Sequence, residues 1–209
     1  MNQTKDFWNE IVRQVMHIII GLAVIILILL LELEIALIVL FILFCLSILF
    51  SLLVVFFKPF SRFAPIKYFL ENLSREYDRK QFPAKGLIFF LGGCVLVLKL
   101  FSINIALASI VVLTFGDSVS TLTCLFGRAK YNVKPFNRFK TIYGTLLGFI
   151  VSSLVALIFI DPLYAIIGSF FGMIAEAISL KLGEEETDDN LIVPLAAGTA
   201  IYLARLIGL

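Results

Sequence analysis

The sequence predicts an all-α membrane protein, a polytopic bundle of about seven transmembrane helices with the N-terminus on the cytosolic side. Three observations predict it. Residues 35–57 carry no charge at all, and a helix crosses a bilayer with ~20 apolar residues. Hydrophobic residues make up 61% of the 209-residue chain and the mean hydropathy is +1.05, whereas soluble domains are roughly half apolar. The basic residues fall almost wholly on one side of the alternating apolar runs. One bundle uses the whole chain, so residues 1–209 are read as a single integral membrane domain.

Apolar runs and their breaks place helices near 10–31, 35–57, 86–101, 103–115, 118–127, 141–160, 162–182 and 191–208, the 118–127 run being a span of its own or a re-entrant extension. No small-residue cleavage site follows the first run, so it is expected to persist as a helix. The runs at 86–98 and 103–115 are short. One of them is expected to tilt, to lie partly in the interface, or to continue past Gly116 as a broken helix, which is tolerated only where backbone is buried in protein or lines a cavity. Positions 66, 69, 70, 73 and 77 share one apolar helical face, predicting a short interfacial helix near 64–80. Pro83 and Gly86 break the chain before the third span.

With the N-terminus inside, the inner segments are 1–13, 58–85, 116–140 and 181–190, and they hold fifteen of the seventeen lysines and arginines. Lys99 and Arg205 fall near the outer face, where they can snorkel. This satisfies the positive-inside rule. The net charge of +2 conceals that sidedness and gives no argument for nucleic acid. Cys45, Cys94 and Cys124 form no CxxC pair and read as small buried hydrophobes.

Ionisable residues inside or at the ends of apolar runs are the candidate site, since such groups are costly in hydrocarbon. Glu10, Arg13 and His17 are spaced to share one helical face, although a charged helix start would look the same. Asp117 lies in Gly116-Asp117-Ser118 between two apolar stretches. It caps a following helix, with Ser118, Ser120, Thr121 and Thr123 bonding backbone, or it holds a divalent cation such as magnesium while the hydroxyls meet phosphate oxygens. Lys140, Thr141, Gly144 and Thr145 open the next helix, where amide N–H groups and a lysine suit an anion; a positive-inside anchor with a packing glycine is the plainer reading. Glu176, among small residues near an inner helix end, needs a proton, a partner or a metal. Asp188 and Asp189 could join Asp117 and Glu176 around one or two cations, while Asn190 is a natural N-cap for a helix starting at Leu191. Glu184–Glu186 reads as a solvated run. P-loop, Rossmann and HExxH patterns are all missing from the sequence.

Five short strings in a fixed order resemble the membrane family of CTP-dependent lipid-alcohol kinases, which includes dolichol kinase, phytol kinase and the CTP-using diacylglycerol kinase. They are Glu10-x-x-Arg13-x-x-x-His17, Phe82-Pro83-Ala84-Lys85-Gly86, Gly116-Asp117-Ser118 with Gly127, Lys140-Thr141-x-x-Gly144-Thr145, and Glu176 followed by Asp188-Asp189-Asn190-Leu191-x-x-Pro194. The likeness spans nearly the whole chain. Gln14, Cys124 and Tyr143 depart from residues common in that family, where lysine, glycine and glutamate stand respectively. The resemblance implies transfer of the γ-phosphoryl group of CTP to a lipid alcohol, with Mg2+, at the cytosolic face of a cell or endoplasmic-reticulum-type membrane. It implies catalytic roles for Asp117, His17, Glu10 and Arg13. Lys85, Gly116, Ser118, Thr121, Lys140, Thr141, Gly144 and Thr145 would bind nucleotide and phosphate. Asp117, Glu176, Asp188, Asp189 and Asn190 would hold metal. The expected partners are CTP, a lipid alcohol and membrane lipids, not nucleic acid, and a homo-oligomer is compatible with this reading. A CDP-lipid-forming cytidylyltransferase and a prenyl-phosphate kinase are enzymatic rivals. A secondary transporter and an inactive scaffold are the rivals of other classes.

Overall fold

The computed structural model describes residues 3–57, 83–127, 141–178, 181–182, 185–186 and 188–208. Long apolar runs become helices because only helical backbone satisfies its own N–H and C=O groups in hydrocarbon. Helix α1 spans Gln3–Leu30 and α2 spans Leu33–Phe56. Helix α3 spans Lys85–Leu100 and α4 spans Ile103–Val111. A π segment, Val112–Asp117, leads directly into α5, Ser118–Phe126. Helices α6 (Ile142–Ala156) and α7 (Pro162–Ala177) follow. A small antiparallel pair, β1 (Lys181–Leu182) with β2 (Glu185–Glu186), precedes α8, Asp189–Leu206.

Among the described residues, three helical stretches are long and apolar enough to cross a membrane: Phe7–Leu30, Leu33–Phe56 and the continuous Ile103–Phe126, each of 24 residues. At 1.5 Å per residue each is about 36 Å long. The third is 72% buried over its most apolar window, against 28% and 22% for the first two. The α4–π–α5 run is therefore the axis of the bundle. Phe7 meets Phe126 edge-on with ring centroids 5.6 Å apart, and Gly21 abuts the side chain of Thr114. Those two contacts make α1 antiparallel to the axis helix.

Small residues set the other approaches. A Cβ on Gly148 would fall 2.6 Å from the Gly116 carbonyl oxygen, and one on Gly144 would fall 2.6 Å from that of Ser120. Helix α6 thus lies antiparallel to the π segment and α5, backbone against backbone, the close approach that small residues permit between membrane helices. Gly168 packs on Ile201, and Gly172 on Ala197 and the Val193 carbonyl, so α7 and α8 are also antiparallel. At the far end of this pair the Arg205 guanidinium lies 5.1 Å from the centre of the Tyr164 ring.

Several expectations are corrected. The runs placed at 103–115 and 118–127 are joined into one helical run through a π segment, the alternative in which the helix continues past Gly116. Helix α1 begins at Gln3, and α7 ends at Ala177, before the expected end near 182. The acidic loop carries a β pair where no strand was expected. Cys94 is buried, but Cys45 is exposed and so is no buried hydrophobe. The predicted interfacial helix near 64–80 lies outside the described residues.

Candidate functional site

The π segment decides what Asp117 can do. Asp117 has right-handed helical dihedrals, φ −62° and ψ −43°, and makes no capping bond to α5. It sits inside a continuous helix, so the capping alternative is excluded. A π turn inside an α-helix is a recurrent mark of functional positions. The hydroxyls of Thr114, Ser118 and Ser120 are buried without a hydrogen-bond partner among the described residues. Thr123 follows the expected pattern and donates to the Val119 carbonyl at 2.7 Å.

Around this acid the neighbours can be placed by helical level. The Phe7–Phe126 and Gly21–Thr114 contacts put His17 level with Asp117 and Ser118, and Arg13 level with Thr121. Arg13 donates to Glu10, and Gln14 donates to the other Glu10 oxygen at 3.2 Å. Glu10 is thus held by Arg13 and Gln14 together. His17 meets Phe90 of α3 edge-on at 5.0 Å and 80°.

Two more strands of chain close the same end. The Asn190 amide donates to the Gly86 carbonyl at 3.2 Å, and a Cβ on Gly93 would lie 2.5 Å from the Asn190 carbonyl oxygen. This joins the start of α8 to the first turns of α3, beside Lys85. The Lys85 ammonium lies 5.9 Å from the centre of the Phe89 ring. Asn190 does not cap α8. Asp188 is the N-cap, its carboxylate accepting from the Asn190 N–H at 3.1 Å. Thr141 caps α6 by accepting from the Gly144 N–H at 3.1 Å.

Glu176 is fully buried. Met173, one turn before it, puts its sulfur 2.6 Å from where a Gly116 Cβ would fall and its methyl 2.6 Å from that of Gly148. Helices α6 and α7 are joined by a short turn and run antiparallel, so Glu176 falls level with Gly144 and Thr145. Asp117 and Glu176 therefore lie within about two residues' rise of each other along the bundle, ~3 Å at 1.5 Å per residue, in the half of the axis helix toward Phe126. Among the described residues no three His, Cys, Asp or Glu side chains stand close enough to hold a metal ion. The expected five-residue metal shell is thus not preassembled, and Asp188 is engaged as a cap. Lys140 lies outside the described residues.

Gln14, Phe90, Gly93, Gly148, Ser152 and Met173 all shape this end of the bundle, and none was expected to. Gly148 had a detectable signal, since it follows Gly144 at the four-residue spacing of packed membrane helices. The others had none.

No family model matches the chain, and no solved structure matches it. An uncharacterized protein of Methanocaldococcus jannaschii is similar, with 32% identity over 133 residues. The match covers 63% of this chain and 64% of the archaeal protein, so it spans less than two thirds of that relative's length.

Proposed function

We propose that this chain is a membrane kinase that transfers the γ-phosphoryl group of CTP to the hydroxyl of a lipid alcohol. The observation that carries the reading is the seating of Met173 between Gly116 and Gly148, which holds Glu176 within about a turn of Asp117. Five motif strings, far apart in sequence, contribute helices to this same end. In the proposed topology the seven helical runs are seven spans, the N-terminus is cytosolic and the site faces the cytosol. Helices α6 and α7, of 15 and 16 residues, then cross by modest local bilayer thinning.

Phosphoryl transfer asks mainly for positioning and for neutralised phosphate charge. Magnesium often takes only one or two protein carboxylates and completes its shell with phosphates and water. That suits an end of the bundle with two acids within about two residues' rise of each other and no closed cluster. Asp117 and Glu176 would hold the metal, which when bound neutralises charge across the phosphates. The amide N–H groups opening α6, with Thr141 and Thr145 beside them, suit phosphate oxygens. Lys85 and Arg13 offset further negative charge. His17 or Asp117 accepts the alcohol proton as its oxygen attacks the γ-phosphorus. The bond from that phosphorus to the bridging oxygen breaks, and CDP leaves. Tyr143 is 52% exposed, on a face of α6 other than the Gly144–Gly148 face packed on the axis helix. A side chain there lies away from that packed seam, so its departure from glutamate is compatible with activity.

The test is a label-transfer assay in detergent. Full-length protein receives γ-labelled CTP or ATP, magnesium and a panel of prenols, prenyl phosphates and diacylglycerol. Label in an alcohol with release of CDP is the expected result. Label in a prenyl phosphate would replace the acceptor, and pyrophosphate release with a CDP-lipid would replace the reading by a cytidylyltransferase. Folded protein that labels nothing ends it.

A further inference from the structure

Helix α1 and the axis helix form a wedge. At Gly21 they touch, since a Cβ there would fall 2.3 Å from the Thr114 side chain. At Phe7, about 21 Å away along α1 at 1.5 Å per residue, the rings of Phe7 and Phe126 stand between the same two backbones with centroids 5.6 Å apart. The seam therefore widens from Gly21 toward the rim at Glu10. Gln14, Gly21 and Ile28 recur at heptad spacing and are all buried, so Gln14 lies on the stripe of α1 that faces the axis helix. Thr114 and Ser118, close to one turn apart, present a stripe of the axis helix in return.

Each of these three polar side chains carries a buried atom with no hydrogen-bond partner among the described residues: Gln14 Oε1, Thr114 Oγ1 and Ser118 Oγ. Thr114 and Ser118 are wholly buried and Gln14 is 7% exposed. Hydroxyls on the α-helical parts of the same run behave differently. Ser109 donates to the Ile105 carbonyl and Thr123 to the Val119 carbonyl, each at 2.7 Å. The segment Val112–Asp117 is a π turn, whose carbonyls bond N–H groups five residues on. That turn redirects the carbonyl four residues back that Ser118 would otherwise meet.

Donor and acceptor counts select the occupant of such a wedge. A hydroxyl has a proton to donate, and Gln14 Oε1 can only accept one. A cation accepts nothing, and Arg13 beside Glu10 already brings a positive charge to the mouth. A lipid tail neither donates nor accepts. Water does both, and a polar, roomy site is what holds it. The levels fit as well. Along the seam Ser118 lies about 6 Å from Thr114, and Gln14 lies about 10 Å from it, at 1.5 Å per residue. Two hydrogen bonds in series through one water oxygen span up to about 5.6 Å, so one water bridges each step.

We propose that the wedge holds a file of ordered water from Thr114 past Ser118 to Gln14, and that this file carries the acceptor's proton from the level of Asp117 and His17 to the rim. The water file stands on the orphaned atoms, and its use as an outlet rests on the kinase reading. One proton enters the file from the group that took it from the alcohol. Each water passes one on as it receives one, and one leaves to bulk water beside Glu10. Nothing is oxidised or reduced.

The sign of a melting shift tests the occupancy. Thr114→Val keeps the shape and removes one hydroxyl. In a dry seam it deletes an unsatisfied buried group, so Tm in detergent holds or rises. With water present it strands the partners of that water, and Tm should fall by about 2–6 °C. Ser118→Ala should fall likewise, and the double variant should lose less than the two losses together, because both hydroxyls hold one water. Strictly additive losses, or no loss, overturn the file. If Thr114→Val does not fold, a high-resolution density map of the parent protein decides. Density within hydrogen-bond distance of Ser118 Oγ and Gln14 Oε1 supports the file, and direct packing of those side chains overturns it. For the outlet, Thr114→Val should lower kcat about tenfold, short of the roughly 100-fold that proton-transfer catalysis supplies at the least. KM for CTP should stay unchanged and the solvent isotope effect on kcat should grow. If neither kcat nor the isotope effect moves, the outlet is overturned. Coupled Tm losses in a protein that transfers no phosphate would sink the kinase reading and the outlet together, and leave the water file standing.

Discussion

Gly148→Ala tests the geometry on which the site depends. The added Cβ would lie 2.6 Å from the Gly116 carbonyl oxygen and equally close to the Met173 methyl. The methyl can swing away. The carbonyl is backbone of the axis helix and cannot. Carbon–oxygen contacts settle at about 3.3–3.6 Å, so α6 must withdraw from the π segment by about 0.7–1 Å. Forced overpacking of this kind typically destabilises by about 1–3 kcal/mol. For a chain of this size each kcal/mol is about 2–4 °C in Tm, so thermal unfolding in detergent should drop by several degrees. The same withdrawal carries the Thr141–Thr145 turn away from Asp117, and a 1 Å misplacement can lower turnover about 100-fold. Gly92→Ala is the matched control, because its nearest neighbour is the Phe44 ring at 3.2 Å, which can shift. If Gly148→Ala melts and turns over like the parent protein, the helices are not in backbone contact and the proposed site loses its frame.

Asp117→Asn should abolish phosphoryl transfer while leaving Tm within about 2 °C; an unchanged rate in the label-transfer assay would remove Asp117 from the chemistry. Glu176→Gln should likewise stop transfer. Thr141→Ala and Asp188→Ala each remove an N-cap bond and should each destabilise by about 1 kcal/mol, readable as a lower Tm. Adding EDTA should silence transfer and excess magnesium should restore it, whereas full activity in EDTA would exclude a metal-borne nucleotide.

Much of the helical architecture was legible because its signal is long. Uncharged runs such as 35–57 cannot stay in water and cannot be strands in hydrocarbon without partners. The acids and bases at the ends of the runs were legible for the same reason, since each stands out against apolar neighbours. Which form the short 103–115 run takes was not, since continuation past Gly116 was one of three expected. Gly116-Asp117-Ser118 is a break signal by local propensity, and it is overridden because Gly116 lies flush against α6 and Met173. The choice between Asp188 and Asn190 as cap was equally hidden. Both are good caps, and the contact of Asn190 with the Gly86 carbonyl, 104 positions away in sequence, settles it. Two-residue strands fall below any detectable periodicity. The lack of a three-ligand metal cluster among the described residues was likewise invisible to spacing, which shows who shares a face but not how far apart carboxylates end.

The wide turn at Val112–Asp117 takes up about one residue more than an ordinary helical turn. Each α-helical residue advances the heading by about 100°. Deleting a single residue between Val112 and Gly116 would let the turn tighten to ordinary helix. Helix α5 would then keep nearly its present heading beneath an unchanged α4, and only the side chains inside the turn would be re-aimed. A length change in this stretch therefore re-aims the side chains of one turn and spares the helices on either side.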